Sequence, residues 1–238
     1  MSLTATLLDP ILATAPARPL ITFYDDATGE RIELSAVTTA NWVAKAANLL
    51  RDECDLEPSG TVAVLLPAHW QTASVLLAVW SCGAEVVGEP AGADLVLCDA
   101  GRLDLALAAG PADGVVALSL DAFGRGIEGL PAGVLDFASE VRLHGDEFVP
   151  WEPVPADAPA LDGIPAADVA ARAASRAADL GLSAADRVLA TGDWSTREDL
   201  VDGLLAVLSA GASLVQVANA DGGRLERKYE TENCTTRL

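Results

Sequence analysis

Basic residues are scarce in this sequence. Its 238 residues include 15 Lys and Arg against 35 Asp and Glu, which gives a formal net charge of −20. Such a charge repels phosphate backbones and anionic membrane surfaces, so neither nucleic acid nor a membrane is expected as a partner. The same acidity suits a soluble protein, which is the ordinary interpretation of this composition.

Signals for metal binding and targeting are also missing. The four cysteines form no C-x-x-C pair, and the two histidines are His69 and His144. Because a zinc site needs clustered ligands, no metal is predicted, and Cys82 and Cys98 are expected to be buried apolar residues. No signal peptide is evident, and the longest nearly apolar run, residues 73–87, is too short to span a bilayer. We therefore expect a cytoplasmic location.

Catalytic signatures are equally rare. The sequence contains no G-x-S-x-G, Walker A or H-E-x-x-H pattern. Gly124, Gly126 and Gly129 match the G-x-G-x-x-G of dinucleotide sites, but Pro131 and Gly133 follow instead of a helical pattern. Since that site requires a helix directly after the glycines, an irregular loop is the favoured interpretation. No catalytic residue and no cofactor are predicted.

What the chain does contain is an internal repeat. The offset between the copies is 126 residues at the Val62/Val188 pair and 128 residues at the Gly83/Gly211 pair. Each copy shows an alanine-rich helix, a short apolar strand, a second helix ending in Gly-Ala, and another strand. The continuously apolar strands are typical of parallel sheets that are covered on both faces.

The repeat predicts an α/β protein of two similar β-α-β layered subdomains with mainly parallel sheets. Residues 1–150 are predicted to form the first subdomain, with an N-terminal helix and a hairpin. Five prolines between residues 150 and 165 indicate an extended connector over residues 151–165. Residues 166–238 are predicted to form the second subdomain, ending in a charged tail that is expected as one solvated helix.

The candidate binding residues follow the first strand of each repeat. His69 and Trp70 stand there in the first copy, and Asp193 and Trp194 in the second. Ligands of open α/β sheets bind beyond the carboxyl ends of the strands, so these four residues are the predicted binding site. The alternative is that the aromatic side chains only cover the ends of the sheets.

A possible anion site follows the second pair. Residues 195–198, Ser-Thr-Arg-Glu, are expected to open a helix, whose free N–H groups can hold an anion. The alternative is a capping box between Ser195 and Glu198. We favour the capping box, because Asp193 and Glu198 place negative charge where an anion would bind.

Several blocks of the first half carry a family resemblance. They are Pro19-Leu-Ile-Thr-Phe23, the block from Leu56 to Pro67, and the block from Leu76 to Val87. These blocks resemble the N-terminal region of the AMP-forming acyl-CoA synthetases, the adenylate-forming superfamily. Residues 182–189 and 204–215 are similar to the segment that follows the phosphate loop in those enzymes. The resemblance covers about the first half of a full synthetase and implies its N-terminal fold.

The sequence departs from the family at several motifs that the family's catalytic activity requires. The family's Ser/Thr/Gly-rich loop before Pro-Lys-Gly belongs between Pro159 and Ala170, where this sequence has no lysine and one glycine. Asp162 and Asp168 oppose phosphate binding there. The Tyr-Gly-x-Thr-Glu motif, the ribose-binding Asp and the C-terminal lysine domain have no counterpart, and Asp193 stands where the family often has a histidine.

The expectation is therefore a truncated, synthetase-like protein without catalysis, a pseudoenzyme that acts by binding. Its ligand is expected to be a partner protein, a second copy of the chain, or a small acyl or nucleotide ligand. The alternative is an AMP-forming acid ligase that is active with a separately encoded partner domain.

Overall fold

A computed structural model describes residues 1–238. The chain divides into two compact units, each with its own sheet, and both units are discontinuous in the sequence. The first unit consists of Met1–Thr4, Ala40–Leu66 and Ser74–Val169. The second consists of Ala5–Thr39, Pro67–Ala73 and Ala170–Leu238. The predicted boundaries at residues 150 and 165 divide the chain consecutively, whereas these units are interleaved along it.

The secondary structure elements are numbered in chain order. The strands are β1 (Pro19–Asp25), β2 (Glu30–Ser35), β3 (Thr61–Leu65), β4 (Glu85–Val87), β5 (Leu95–Asp99), β6 (Gly114–Leu118), β7 (Val134–Asp136), β8 (Pro159–Leu161), β9 (Ile164–Pro165), β10 (Arg187–Ala190), β11 (Ser213–Ala218) and β12 (Thr236–Arg237). The helices are α1 (Leu3–Thr14), α2 (Ala36–Glu53), α3 (Trp70–Cys82), α4 (Leu103–Ala109), α5 (Phe137–Glu140), α6 (Ala166–Asp179), α7 (Arg197–Leu200), α8 (Ala206–Ser209) and α9 (Gly222–Thr231). A π-helical turn, Val201–Leu205, joins α7 to α8. None of the helices combines the length and apolarity needed to cross a lipid bilayer.

The first unit is built on a seven-stranded sheet in the order β7-β6-β5-β3-β4-β8-β9. Every neighbouring pair is parallel except β8 and β9, which form a hairpin. The interior strand β5 is buried from Leu95 to Cys98, as a strand covered on both faces must be. Cys98 and Cys82 are both buried and free, as predicted.

The second unit is built on a five-stranded sheet in the order β12-β10-β11-β1-β2. The hairpin β1–β2 is antiparallel, as the sequence predicts, and the other pairs are parallel. Strand β1 pairs with β11, so the N-terminal hairpin extends the sheet that contains the second repeat. Long-range pairing of this kind leaves no local pattern in the sequence.

The predicted repeat and α/β fold class are confirmed. The first copy is α2-β3-α3-β4, and the second is α6-β10-(α7, π turn, α8)-β11. In each copy the two strands are parallel neighbours, β3 with β4 and β10 with β11. The first copy therefore supplies two adjacent strands to the seven-stranded sheet, and the second copy supplies two adjacent strands to the five-stranded sheet.

Two segments that lack periodicity contain more structure than the sequence predicts. Residues 121–150 include β7 and α5, and the proline-rich connector includes the hairpin β8–β9. The hairpin occupies the last residues of the segment that was predicted as an extended connector. The strands involved are two or three residues long, too short for a period-two pattern to emerge.

The charged C-terminal tail does form a helix, α9, but it is not fully solvated. Lys228 is buried, and its ammonium lies 2.5 Å from the Asp26 carboxylate. Beyond the helix, buried Glu232 accepts hydrogen bonds from Tyr24, from Arg31 at 3.0 Å and from Arg187 at 2.5 Å. Paired and buried charges therefore fasten the tail to the five-stranded sheet.

This contact predicts a loss of stability in Glu232→Gln. Burial raises the pKa of Glu232, but the hydrogen bonds from Tyr24, Arg187 and Arg31 outweigh that effect and leave the pKa lowered. The stabilisation is therefore complete above the ordinary range of glutamate and is lost as the pH falls through the lowered value. At pH 7 the variant should lose about 2–3 kcal/mol of unfolding free energy, measured by denaturant titration.

The matched control is Glu230→Gln, which removes an exposed carboxylate from α9 itself. It should change the unfolding free energy by less than about 0.5 kcal/mol. Equal losses in the two variants would show that net charge, rather than the buried contact, stabilises the tail.

Candidate functional site

All four predicted binding residues belong to the second unit. His69 and Trp70 lie in the segment Pro67–Ala73, and Asp193 and Trp194 lie in Ala170–Leu238. Strand β10 ends at Ala190, so Asp193 and Trp194 follow its carboxyl end, as the sequence predicts. His69 and Trp70 follow β3 in the sequence, but their compact unit is that of the five-stranded sheet.

His69 caps a helix and is neutral. Its Nδ1 accepts the backbone N–H of Gln71 at 3.1 Å, within the first turn of α3. Burial lowers the pKa of His69 to about 3, against a smaller opposing effect of the Asp25 carboxylate. Because Nδ1 is the acceptor, the proton of the neutral ring is on Nε2.

Two aromatic rings lie next to this imidazole. The ring of Phe23 packs edge-on against His69, with centroids 4.2 Å apart, and the Trp70 ring lies at 5.6 Å. The nearest Glu30 carboxylate oxygen lies 3.9 Å from Nε2, which is beyond hydrogen-bond distance. The imidazole N–H therefore lies in an aromatic setting beside a carboxylate.

Asp193 organises the loop that follows β10. Its carboxylate Oδ1 accepts the backbone N–H groups of Ala68 and Trp194, both at 2.8 Å. The first of these bonds ties the loop to the residue before His69. Asp193 therefore brings the two predicted pairs together, and its own side chain is used in doing so.

Trp194 is buried against the π-helical turn. A Cβ atom at Gly203 would lie 2.8 Å from Nε1 of Trp194 and 3.0 Å from its Cδ1. Only a glycine at position 203 leaves room for the indole of Trp194, which packs against the widened turn. Turns of this type are frequent at functional sites.

Gly203→Ala should therefore displace Trp194. Overpacking a filled site costs roughly 1–3 kcal/mol, so we expect that loss of unfolding free energy in thermal or denaturant melts. The fluorescence of the displaced indole should also shift towards that of a solvated tryptophan.

The matched control is Gly192→Ala in the preceding loop, where an added Cβ meets nothing within 4 Å. It should stay within about 0.5 kcal/mol of the unsubstituted protein. A Gly203→Ala variant as stable as this control would show that Trp194 is free to move.

Gln216, which was not predicted as a site residue, also lies at this edge of the sheet. Gln216 lies in β11, in register with Phe23 of β1 and Ala190 of β10, so the three share one face. Its Nε2 donates to the carbonyl of Gly192 at 2.9 Å. The sequence signal that could have identified Gln216 is its position as a glutamine within the mainly apolar strand Ser213–Ala218.

The segment that the resemblance assigns to a phosphate loop contains a two-residue turn. Asp162 and Gly163 connect β8 to β9, with φ angles of 47° and 76°. Positive φ at both central residues defines a tight hairpin turn for which Asp-Gly is a favoured pair. The chain therefore has no long glycine-rich loop here.

The backbone amides around this turn are already bonded. The N–H of Gly163 donates to the Glu85 carboxylate, and the N–H of Asp162 donates to the carbonyl of Val86 at 3.0 Å. The Asp162 carboxylate in turn accepts the N–H of Gly88 at 2.9 Å. Carboxylates and a carbonyl thus bind the amides that an anion would need.

Backbone N–H groups at the start of α6 are also hydrogen-bonded within the chain. The N–H of Ala166 donates to the Ala158 carbonyl, and the N–H of Ala167 donates to the Ala156 carbonyl, each at 2.9 Å. Asp168 lies in the first turn of the helix. An anion here would have to displace backbone hydrogen bonds and approach a carboxylate.

The other sequence motifs are structural. Gly124 to Gly129 lie in an irregular loop with no helix after it, as predicted. The capping box is present but lies one residue later than predicted, between Thr196 and Asp199. Our assignment to Ser195 and Glu198 is wrong because Thr196 is the residue that immediately precedes the helix. No group of three His, Cys, Asp or Glu side chains is arranged to hold a metal ion.

Comparison with known proteins shows the family. A "TIGR03089 family protein" of Mycobacterium tuberculosis (strain ATCC 25618 / H37Rv) is 54% identical over 238 residues, 98% of this chain and 97% of the relative. The chain belongs to the TIGR03089 family. No model of a protein family matches the sequence.

Solved structures show the fold of this TIGR03089 family member. The Brucella canis acyl-CoA synthetase matches all of the chain with a TM-score of 0.80 at 19% identity. The anthranilate CoA ligase AuaEII, solved with anthranoyl-AMP, matches 90% with a TM-score of 0.72 at 15% identity. The chain spans 47% and 44% of the lengths of these two proteins, so it has the fold of about half of an acyl-CoA synthetase. The predicted resemblance is confirmed at the level of the fold.

Proposed function

We propose that this TIGR03089 family member is a non-catalytic binding protein on an acyl-CoA-synthetase-like fold. The observation that carries the proposal is the turn at Asp162 and Gly163. An adenylating enzyme must hold the phosphates of ATP through converging backbone amides, and here those amides donate to groups of the protein itself.

Charge supports the same conclusion. Three carboxylates belong to this region, those of Glu85, Asp162 and Asp168. Like charges a few ångströms apart repel by about 1 kcal/mol in water and by more where solvent is excluded. A triphosphate placed here would meet repulsion, and the N–H groups of Asp162, Gly163, Ala166 and Ala167 already donate to groups of the protein.

The proposed binding site is the carboxyl edge of the five-stranded sheet, with His69, Trp70, Asp193 and Trp194. Its buried aromatic groups suit a small acyl or nucleotide ligand better than an extended polyanion. A partner protein or a second copy of the chain remains the other proposed ligand class. The net charge of −20 argues against nucleic acid and membranes as partners.

Calorimetric titration of the purified chain with ATP, AMP and adenosine, each with and without magnesium, tests the proposal. If the phosphate position is closed, the added phosphates of ATP contribute no affinity, and ATP should bind no more tightly than AMP. Binding of AMP or adenosine alone would support a small-ligand function.

Micromolar ATP binding that requires magnesium and exceeds AMP binding tenfold, about 1.4 kcal/mol, would contradict the proposal. That result would instead favour an AMP-forming acid ligase that works with a separate partner domain.

A further inference from the structure

Three buried polar atoms at the carboxyl edge of the five-stranded sheet have no hydrogen-bond partner in the protein. They are Nε2 of His69, Nε1 of Trp194 and Oε1 of Gln216. Their residues are 4%, 7% and 1% exposed. A buried polar atom left unbonded costs about 1–3 kcal/mol, so a molecule outside the chain is expected to satisfy these atoms.

Contacts already described place the three residues at the same edge of the five-stranded sheet. Gln216 is in register with Phe23, whose ring packs against His69. The amide of Gln216 also donates to the carbonyl of Gly192, two residues before Trp194. Asp193 ties the same loop to the residue before His69. The loop residues 191–193 are exposed, which places the site next to solvent.

The hydrogen-bonding role of each atom is determined by its neighbours. The Nδ1 of His69 accepts from Gln71, so its Nε2 carries a proton and donates. The indole Nε1 of Trp194 can only donate. The Nε2 of Gln216 donates to Gly192, so the free Oε1 accepts. The site therefore offers two donors and one acceptor.

The charges around the site select an uncharged ligand. The charged groups that face His69 are the carboxylates of Glu30, 3.9 Å from Nε2, and Asp25, which acts on the ring electrostatically. Asp193 lies beside Trp194 in the loop. These carboxylates repel an anion, and the two N–H donors present the wrong polarity to a cation.

We propose that His69, Trp194 and Gln216 bind the uncharged carboxamide group of a small ligand. The carbonyl oxygen accepts from both N–H donors, and the amide nitrogen donates to Oε1 of Gln216. The rings of Phe23 and Trp70 supply apolar surface for the body of the ligand. This inference rests on the proposed function, because it narrows the small ligand proposed for the same site to an uncharged one.

The test uses the indole N–H resonance of Trp194 in the ¹⁵N-labelled full chain, assigned by its absence in Trp194→Phe. Benzamide should move this resonance in a saturable way. Benzoate and benzylamine have nearly the same shape but carry opposite charges, and they should leave it unmoved. The resonance of exposed Trp151 in the same spectrum is the internal control.

Gln216→Met keeps the length of the side chain and removes the acceptor. It should weaken benzamide binding at least tenfold while the backbone amide spectrum shows that the fold is kept. Should that variant fail to fold, the comparison of benzamide with benzoate on the unsubstituted chain still decides the matter.

A Trp194 resonance that millimolar benzamide leaves unchanged would overturn the inference. An equal response to benzoate would overturn it as well. Neither result tests the proposal that the chain is not catalytic. That proposal is contradicted only if the chain activates a carboxylic acid with ATP.

Discussion

The free energy of unfolding should fall by about 1.2 kcal/mol between pH 6 and pH 5, above the titration range of the carboxylates, and His69 should be the main cause. Burial lowers the pKa of His69 to about 3 in the folded chain, while an unfolded histidine titrates near 6.5. In this range the His69 imidazole therefore binds a proton in the unfolded chain but not in the folded chain. Stability is complete above the unfolded pKa and declines as the pH falls below it.

Denaturant titration at several pH values, on the unsubstituted chain and on His69→Phe, measures this effect. The phenylalanine ring has a similar size and cannot be protonated, so the variant should lose most of the slope over this range. A slope that survives in His69→Phe would show that other groups cause the acid sensitivity and that the imidazole is not desolvated as described.

Trp80→Ala should lower the unfolding free energy by about 3–5 kcal/mol. Trp80 in α3 is 1% exposed, among the largest fully buried side chains. Its Nε1 donates to the carbonyl of Ala160 in β8 at 2.7 Å. The substitution therefore opens a cavity and also leaves a buried carbonyl without its donor.

Trp151→Ala is the matched control, because it removes the same side chain from a position that is 53% exposed. It should cost no more than about 0.5 kcal/mol. Trp80→Phe should fall between the two, since it keeps most of the volume and loses the hydrogen bond. Comparable losses at positions 80 and 151 would contradict the assignment of Trp80 to the core.

The elements that could be predicted from sequence are those with a strong local pattern. The repeat predicts a helix that ends in Gly-Ala and is followed by a strand, and α3 and β4 have this arrangement on either side of Gly83 and Ala84. Both follow from apolar spacing bounded by a proline or a glycine. The repeat strengthened these assignments, because two weak patterns in the same order support each other.

What escaped prediction depends on contacts between distant residues. The pairing of β1 with β11 joins segments nearly two hundred positions apart, and the burial of Glu232 depends on Arg31 and Arg187. The tail composition was correctly judged polar, but charge does not reveal whether it will be paired. Only the fold brings these partners together.

The candidate site was predictable in outline and not in detail. The rule that ligands bind beyond the ends of parallel strands selected Asp193 and Trp194, and both lie beyond β10. Gln216 lies inside a strand, and its face becomes known only from the register with Phe23. The helix-capping role of His69 likewise depends on its side-chain conformation.

The central claim concerns the short turn at Asp162 and Gly163. The chain has the fold of about half of an acyl-CoA synthetase, and the backbone N–H groups at this turn already donate to groups of the protein. In the second unit, buried polar atoms of His69, Trp194 and Gln216 have no hydrogen-bond partner in the protein. We propose that they bind a ligand although the phosphate position is closed.

ATP–pyrophosphate exchange by the purified full chain, measured across a panel of aliphatic and aromatic carboxylic acids, tests this claim most directly. The account predicts no exchange above the level without enzyme for any acid. Exchange that depends on one acid and on magnesium, and that increases in proportion to the amount of the chain, would contradict it.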